Sequence, residues 1–306
     1  MKNPKDKTVI IICGPTAVGK TAVAISIARQ FQTQIISADS RQCFKELKIG
    51  VARPSDEELK EVLHHFIASY SITENINAAF FEKYALQKVN ELFKDHDMVI
   101  LVGGTGLYIK AFCEGLDEIP AIDDTIRKKI IEDHKMHGLA WLQEEVKNKD
   151  PAFYRSGEIQ NPQRMMRALE VIESTGHSIL SFRSNKKAKR DFRIIKIGLE
   201  LPKEELHANI NLRVDKMINE GLVEEVRSLN GYRDVNALQT VGYSEIFEHL
   251  DGKISLETAI EEIKKNTRQY AKRQMTWFKK DKEIKWINAK QRSEIVSMAQ
   301  KLVQGD

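Results

Sequence analysis

Cysteine is scarce and scattered. The 306-residue chain has three, Cys13, Cys43 and Cys113, with no C-x-x-C pair and no Cys/His spacing of a zinc site. That excludes a disulfide framework and points to free thiols in a reducing compartment. Proline, at 7, and glycine, at 16, are too few for collagen-like or proline-rich architecture. Long apolar runs are missing too. The N-terminal run covers only residues 9–13, and nothing approaches the roughly 20 residues of a membrane span. No secretory signal or membrane contact is expected, and the cytoplasm is the expected location. Nor is there a large excess of one charge: 48 Lys+Arg oppose 44 Asp+Glu, a net +4, which permits a nucleic-acid partner without requiring one. What remains is 42% hydrophobic and 30% charged residues. That is ordinary for one large or two modest folded domains and excludes wholesale disorder.

Residues 8–13 (TVIIIC), 34–38, 98–102 (MVILV) and 194–201 (IIKIGLEL) are short apolar runs, the pattern of strands buried on both faces. Residues 21–31 and 78–94 carry helical composition or spacing between them. Strand–helix–strand alternation predicts an α/β fold with a parallel sheet. The texture changes after Gly115. Residues 123–175 read as helix after helix, with Asp123 and Asn161-Pro162 as starts. The chain is therefore divided into a core (1–115), an all-helical insertion domain (116–190) and the rest of the core (191–306). Residues 184–193 form a basic, flexible return linker, and a short strand is expected at 284–287.

The chemistry begins at Gly14, Pro15, Thr16, Ala17, Val18, Gly19, Lys20 and Thr21. This stretch fits G-x-x-x-x-G-K-S/T, with a strand before it and a helix after it. Its glycines let backbone N–H groups wrap phosphate oxygens, the helix N-terminus adds positive charge, and Lys20 adds a cation. Thr21 has the hydroxyl that such loops offer to Mg2+. The core is thus P-loop NTPase-like. No apolar strand ends in a conventional catalytic Asp, however: the run at 98–102 leads into Gly103-Gly104-Thr105-Gly106. A diphosphate-bearing substrate therefore fits the loop as well as a nucleoside triphosphate does.

In open α/β sheets ligands sit beyond the carboxyl ends of the strands. Asp39 ends the second strand, where it is either a general base or metal contact near the phosphates, or a turn-capping residue. Lys264, Lys265, Arg268, Lys272, Arg273, Lys279 and Lys280 cluster in one C-terminal helical stretch. With the basic linker they favour a polyanionic partner over a merely solvated face. Tyr270 and Trp277 are read as core, and the pair His64-His65 as structural.

Beyond the phosphate loop, an ordered set of segments spans nearly the whole chain: SADSRQ (37–42), IGVARP (49–54), VGGTGLYIKA (102–111), NPQRMMRALEV (161–171), RVDKMINEGLVEEV (213–226), VGYSE (241–245) and TRQYAKRQMTWF (267–278). In these the chain resembles bacterial tRNA dimethylallyltransferases, the IPP transferase family. Val51 and Arg53 stand where that family more often has Thr and Lys, and Cys43-Phe44 where it has an aliphatic-Tyr pair.

The resemblance implies transfer of a dimethylallyl group from dimethylallyl diphosphate to the exocyclic amine of the adenosine on the 3′ side of the tRNA anticodon, with release of diphosphate. It implies Asp39 as general base, Thr16 and Lys20 as diphosphate contacts, Arg213 as a further cation at the reaction centre, and Mg2+ on Thr21. Candidate contacts to the anticodon stem-loop are Asp39, Ser40, Arg41, Gln42, Thr105, Arg127, Gln163, Arg164, Met165, Met166, Arg167, Thr240, Val241, Gly242, Tyr243, Thr267, Arg268, Lys272, Arg273 and Gln274. The helical insertion would grip the anticodon arm, and a monomer is expected. The residues alone leave two other readings open. One is a small-molecule or nucleotide kinase, from the phosphate loop. The other is a non-catalytic RNA-binding module, from the basic tracts.

Overall fold

The computed structural model describes residues 7–120, 122–184 and 186–304. It divides into two compact units, Met1–Cys113 with Lys189–Asp306, and Glu114–Ala188. The first is built on a sheet of β1 (Thr8–Cys13), β2 (Ile35–Ser37), β3 (His64–His65), β4 (Met98–Gly103), β5 (Arg193–Glu200) and β6 (Lys285–Asn288). All pairings are parallel, in the order β3-β2-β4-β1-β5-β6.

Both faces of this sheet are buried. Val9, Ile11, Cys13, Val99 and Leu101 point to one face, and Ile10, Ile12, Ile100, Ile195 and Ile197 to the other. That is why the central strands read as unbroken apolar runs. The helices of the first half are α1 (Lys20–Gln30), α2 (Asp56–Glu61), α3 (Ala78–Leu92) and α4 (Gly106–Glu114). α1 covers one face through Val23, Ala24 and Ile27, while α3 and α4 cover the other through Phe81, Ala85, Val89, Tyr108 and Phe112.

The second unit holds α5 (Asp124–Lys149), α6 (Pro151–Arg155) and α7 (Pro162–Thr175). Asp123 caps α5 by accepting the Thr125 N–H at 2.8 Å, and Asn161 caps α7 by accepting the Arg164 N–H at 3.2 Å, with Pro162 at the first helical position. α5 is broken at Gly138, whose φ of 77° interrupts the helix. The core here is Ile130, Leu142, Val146, Phe153, Met165 and Leu169.

The chain returns through α8 (Lys203–Asn219), α9 (Leu222–Ser228), α10 (Tyr243–Leu250), α11 (Leu256–Phe278) and α12 (Arg292–Gln304). One strand was not expected, and two expectations need correction. Residues 64–65 form the edge strand β3, too short to register as a periodic pattern. Tyr270 and Trp277 are not core: each remains 37% exposed on α11. The return linker is pinned rather than free near its end, because Arg190 pairs with Glu82 at 2.8 Å and donates to the Ala111 and Phe112 carbonyls at 2.9 and 2.8 Å.

One backbone approach fixes how the strand ends meet. A Cβ on Gly103 would overlap the Ala38 carbonyl oxygen, which is backbone and cannot swing aside. Gly103→Ala is expected to lower stability in chemical denaturation by at least about 1–3 kcal/mol, the usual cost of overpacking. Gly231→Ala, where nothing lies within 4 Å of the added carbon, should stay within about 0.5 kcal/mol of wild type.

Candidate active site

The loop from β1 to α1 crosses left-handed backbone at Gly14 (φ 146°), Ala17 (φ 62°) and Gly19 (φ 94°). Gly14 also has the Leu199 carbonyl 2.6 Å from where a Cβ would stand. Gly19 is the N-cap of α1, so the helix opens directly under the loop with its first N–H groups free for an anion. Lys20 Nζ donates to the Pro15 carbonyl at 2.7 Å, which folds the cation back over the loop.

A single buried amide braces this loop to the next strand. Gln274, on α11, accepts the Thr16 N–H through Oε1 at 2.8 Å and donates through Nε2 to the Gly104 carbonyl at 2.9 Å. Its side chain is thus engaged within the protein while still lining the smaller cavity.

Asp39 follows β2. Its Oδ1 accepts the N–H groups of Arg41 (2.9 Å) and Gln42 (3.2 Å), so it is turn-capping as well as site-lining. Oδ2 makes no hydrogen bond among the described residues and is left for a ligand. Thr105 accepts the Ser40 N–H at 3.0 Å, and Gln42 donates to the Val51 and Ala52 carbonyls at 3.2 and 3.0 Å. These two hold the Asp39 loop on either side.

Two cavities meet at this point. The smaller, about 330 Å³, contains Lys20, Thr21, Ser37, His64 and Asn209. The larger, about 560 Å³, contains Ser40, Arg41, Thr240, Val241, Gly242, Thr267 and Arg273. Thr16, Asp39, Arg213 and Tyr270 line both. Burial pushes the Lys20 ammonium down to about 8, and neighbouring Arg213 pushes the same way, against the pull of Asp39. Arg213 is itself lowered by burial and held up by Asp39. Two desolvated cations therefore face one carboxylate, an arrangement that a polyphosphate completes.

The remaining expected residues separate by environment. Met165 and Met166 belong to the core of the helical unit, and Tyr243 is fully buried. Met165 and Tyr243 are thus closed off from solvent, and Met166 nearly so. Arg127, Gln163, Arg164 and Arg167 are at the surface of the helical unit, where Arg127 and Arg167 share buried Glu170 and Arg164 pairs with Glu158. On α11, Lys264 pairs with Asp215, Lys265 with Glu262, and Arg268 donates to Asn211. Lys279 pairs with Glu200. Lys272, Arg273 and Lys280 keep no carboxylate partner among the described residues, so the uncompensated part of the basic face is smaller than its composition. His64 is buried with Nδ1 2.7 Å from the Val62 carbonyl, a structural contact at the sheet edge.

Three roles in the site differ from, or are absent from, the expectations drawn from sequence. Tyr270 lies at the junction of the cavities, Gln274 is a brace, and Glu225 reaches the loop at 48–50. Each depends on chain segments far apart in sequence, and no local pattern marks them.

The model of the IPP transferase family matches residues 42–281. The chain belongs to this family. It is 51% identical over 278 residues to a tRNA dimethylallyltransferase of Christiangramia forsetii, covering 91% of this chain and 92% of that one. It is 46% identical over 294 residues to tRNA dimethylallyltransferase 1 of Bacteroides fragilis, covering 96% and 98%. The crystal structure of a full-length tRNA isopentenylpyrophosphate transferase from Bacillus halodurans superimposes with a TM-score of 0.72 at 32% identity over 98% of both chains.

The lowered Lys20 has a measurable consequence. Only its protonated form attracts an anion, so affinity for inorganic pyrophosphate should fall several-fold as pH rises through about 8. Titration calorimetry across this range should show the fall in wild type and lose it in Lys20→Met. An identical pH profile in the two proteins would remove Lys20 from the phosphate site.

Proposed function

We propose that the chain transfers a dimethylallyl group from dimethylallyl diphosphate to the exocyclic amine of the adenosine on the 3′ side of the tRNA anticodon, releasing diphosphate. The observation that carries this reading is the pair of cavities joined at Asp39, Thr16 and Arg213. One holds the phosphate loop. The other opens on the far side of Asp39, where a second substrate can present a nucleophile. The naming of relatives as tRNA dimethylallyltransferases supports the same reaction.

An adenine amine is a weak nucleophile because its lone pair is delocalised into the ring. As the new N–C bond forms, Asp39 takes the amine proton through its unengaged Oδ2. The allylic C–O bond breaks in the same step and its electron pair leaves with diphosphate. Positive charge developing on the allylic carbon is tolerated by delocalisation. The negative charge on the leaving oxygens is met by the loop N–H groups, Lys20, Thr16 and Arg213.

Thr21, in the first turn of α1, lines the same cavity, and no group of three His, Cys, Asp or Glu exists among the described residues. That donor set fits Mg2+, which takes one or two protein oxygens and completes its shell with phosphate and water. When bound, the ion supplies further neutralisation of the diphosphate.

The target base must leave its stack to reach the larger cavity. Ser40, Arg41, Thr240, Val241, Gly242, Thr267 and Arg273 line its path, with Arg268 and Lys272 on the same helix. Thr105 acts through Ser40. The surface arginines Arg127, Arg164 and Arg167, with Gln163, suit contact to the anticodon arm by shape and phosphate. Among the described residues no helix is long and apolar enough to cross a membrane. A monomer acting on tRNA in the cytoplasm is part of the same proposal.

Asp39→Ala should lower kcat by about 10²–10⁴-fold while binding of an anticodon stem-loop persists. The check is transfer of radiolabelled dimethylallyl to that RNA beside a filter-binding titration. Turnover near the wild-type level would remove Asp39 as the base.

A further inference from the structure

The segment that brings Arg213 into the site ends in a carboxylate that the chemistry above does not use. Glu225, one turn into α9, is bound by four donors. Its Oε2 accepts the backbone N–H groups of Lys48 (3.0 Å) and Ile49 (2.8 Å). Its Oε1 accepts the Gly50 N–H at 3.0 Å and the Tyr243 hydroxyl at 2.6 Å. Three successive N–H groups converging on one anion form a nest, here filled from within the protein.

What the clamp joins is specific. Gly50 and Val51 line the larger cavity on one side, and Thr240, Val241 and Gly242, the residues just before Tyr243, line it on another. Tyr243 is fully buried, and a Cβ on Gly50 would stand 2.6 Å from its ring. Glu225 therefore ties two separate stretches of the acceptor-side wall together from behind, without itself lining that cavity. None of its four donors belongs to the phosphate loop.

We propose that Glu225 is a positioning residue that sets how tightly the larger cavity holds the RNA acceptor, without taking part in the chemical step. The inference rests on the transfer reaction proposed above. A residue that merely stabilises the fold would lower melting temperature and activity together. Glu225 is instead expected to act on one substrate, because its contacts lie on one side of Asp39.

Steady-state transfer from dimethylallyl diphosphate to an anticodon stem-loop, with full-length wild type, Glu225→Gln, Tyr243→Phe and the double variant, tests it. Glutamine keeps the shape but turns an N–H donor toward other donors in either orientation. Glu225→Gln should raise KM for RNA about tenfold, leaving kcat and KM for the donor within about twofold. Tyr243→Phe should raise KM for RNA about two- to threefold. The double variant should be no worse than Glu225→Gln, since both changes act on one carboxylate. Unchanged RNA KM in folded Glu225→Gln, or a loss spread equally over both substrates, would overturn the proposal. If Glu225→Gln does not fold, Tyr243→Phe decides by the same readout. An inactive wild type would instead overturn the reaction, a result distinct from either.

Discussion

The phosphate loop and Asp39 do not sit on neighbouring strands. β4 stands between β1 and β2, so the two strand ends are separated by two inter-strand spacings, about 10 Å. They can act on one substrate only if nothing projects from the end of β4, and that end is Gly103-Gly104. A side chain at Gly103 would collide with the Ala38 backbone, and one at Gly104 with the Gln274 amide. The floor between Asp39 and the phosphate loop is therefore bare backbone. Gln274 then locks this floor to the loop with two hydrogen bonds from one buried amide. An amide suits the position because it offers a donor and an acceptor with no net charge, next to two cations already poorly solvated.

Those cations define the electrostatic character of the site. Lys20 and Arg213 are each disfavoured by burial, and each is compensated by Asp39. One carboxylate cannot satisfy two desolvated cations while its Oδ1 is occupied by backbone N–H groups. The site is thus built short of negative charge, which the diphosphate of the proposed reaction would supply. In the proposed reaction, charge growing on a leaving diphosphate would meet the same two cations. The left-handed Ala17 in the loop is a further local cost, carried because the loop must present its amides inward.

Much of this was legible in sequence, for physical reasons. A strand buried on both faces has no room for polar residues, so β1 and β4 stood out as apolar runs. The phosphate loop is a contiguous stretch whose geometry depends on its own glycines. Asp39 was legible as a position but not as a role: the same residue caps a turn and faces a cavity, and only the strand order separates the readings. β3, with two residues, is set by a neighbour's edge and not by any pattern of its own. Met165 and Met166 show the opposite failure. They lie within a segment shared with a family, yet their side chains fill a helical core. Membership in a segment does not decide which side of a helix a residue faces.

The larger cavity was hardest to read because its wall is assembled from segments far apart in sequence. Two carboxylates shape it. Glu225 binds the N–H groups of residues 48–50 together with Tyr243, and Glu245 binds the Gly242 N–H at 2.8 Å and the Asn266 amide at 2.7 Å. A base drawn out of an RNA stack costs a few kcal/mol before any contact is made. A loose wall would add its own ordering cost to that sum. Carboxylates bonded to several donors at once hold such a wall in advance, so in the proposed reaction RNA binding energy would go to extruding the base. On this argument the phosphate side is organised by local sequence around one glycine loop. The acceptor side is organised by long-range acceptors, each invisible until the chain has folded around it.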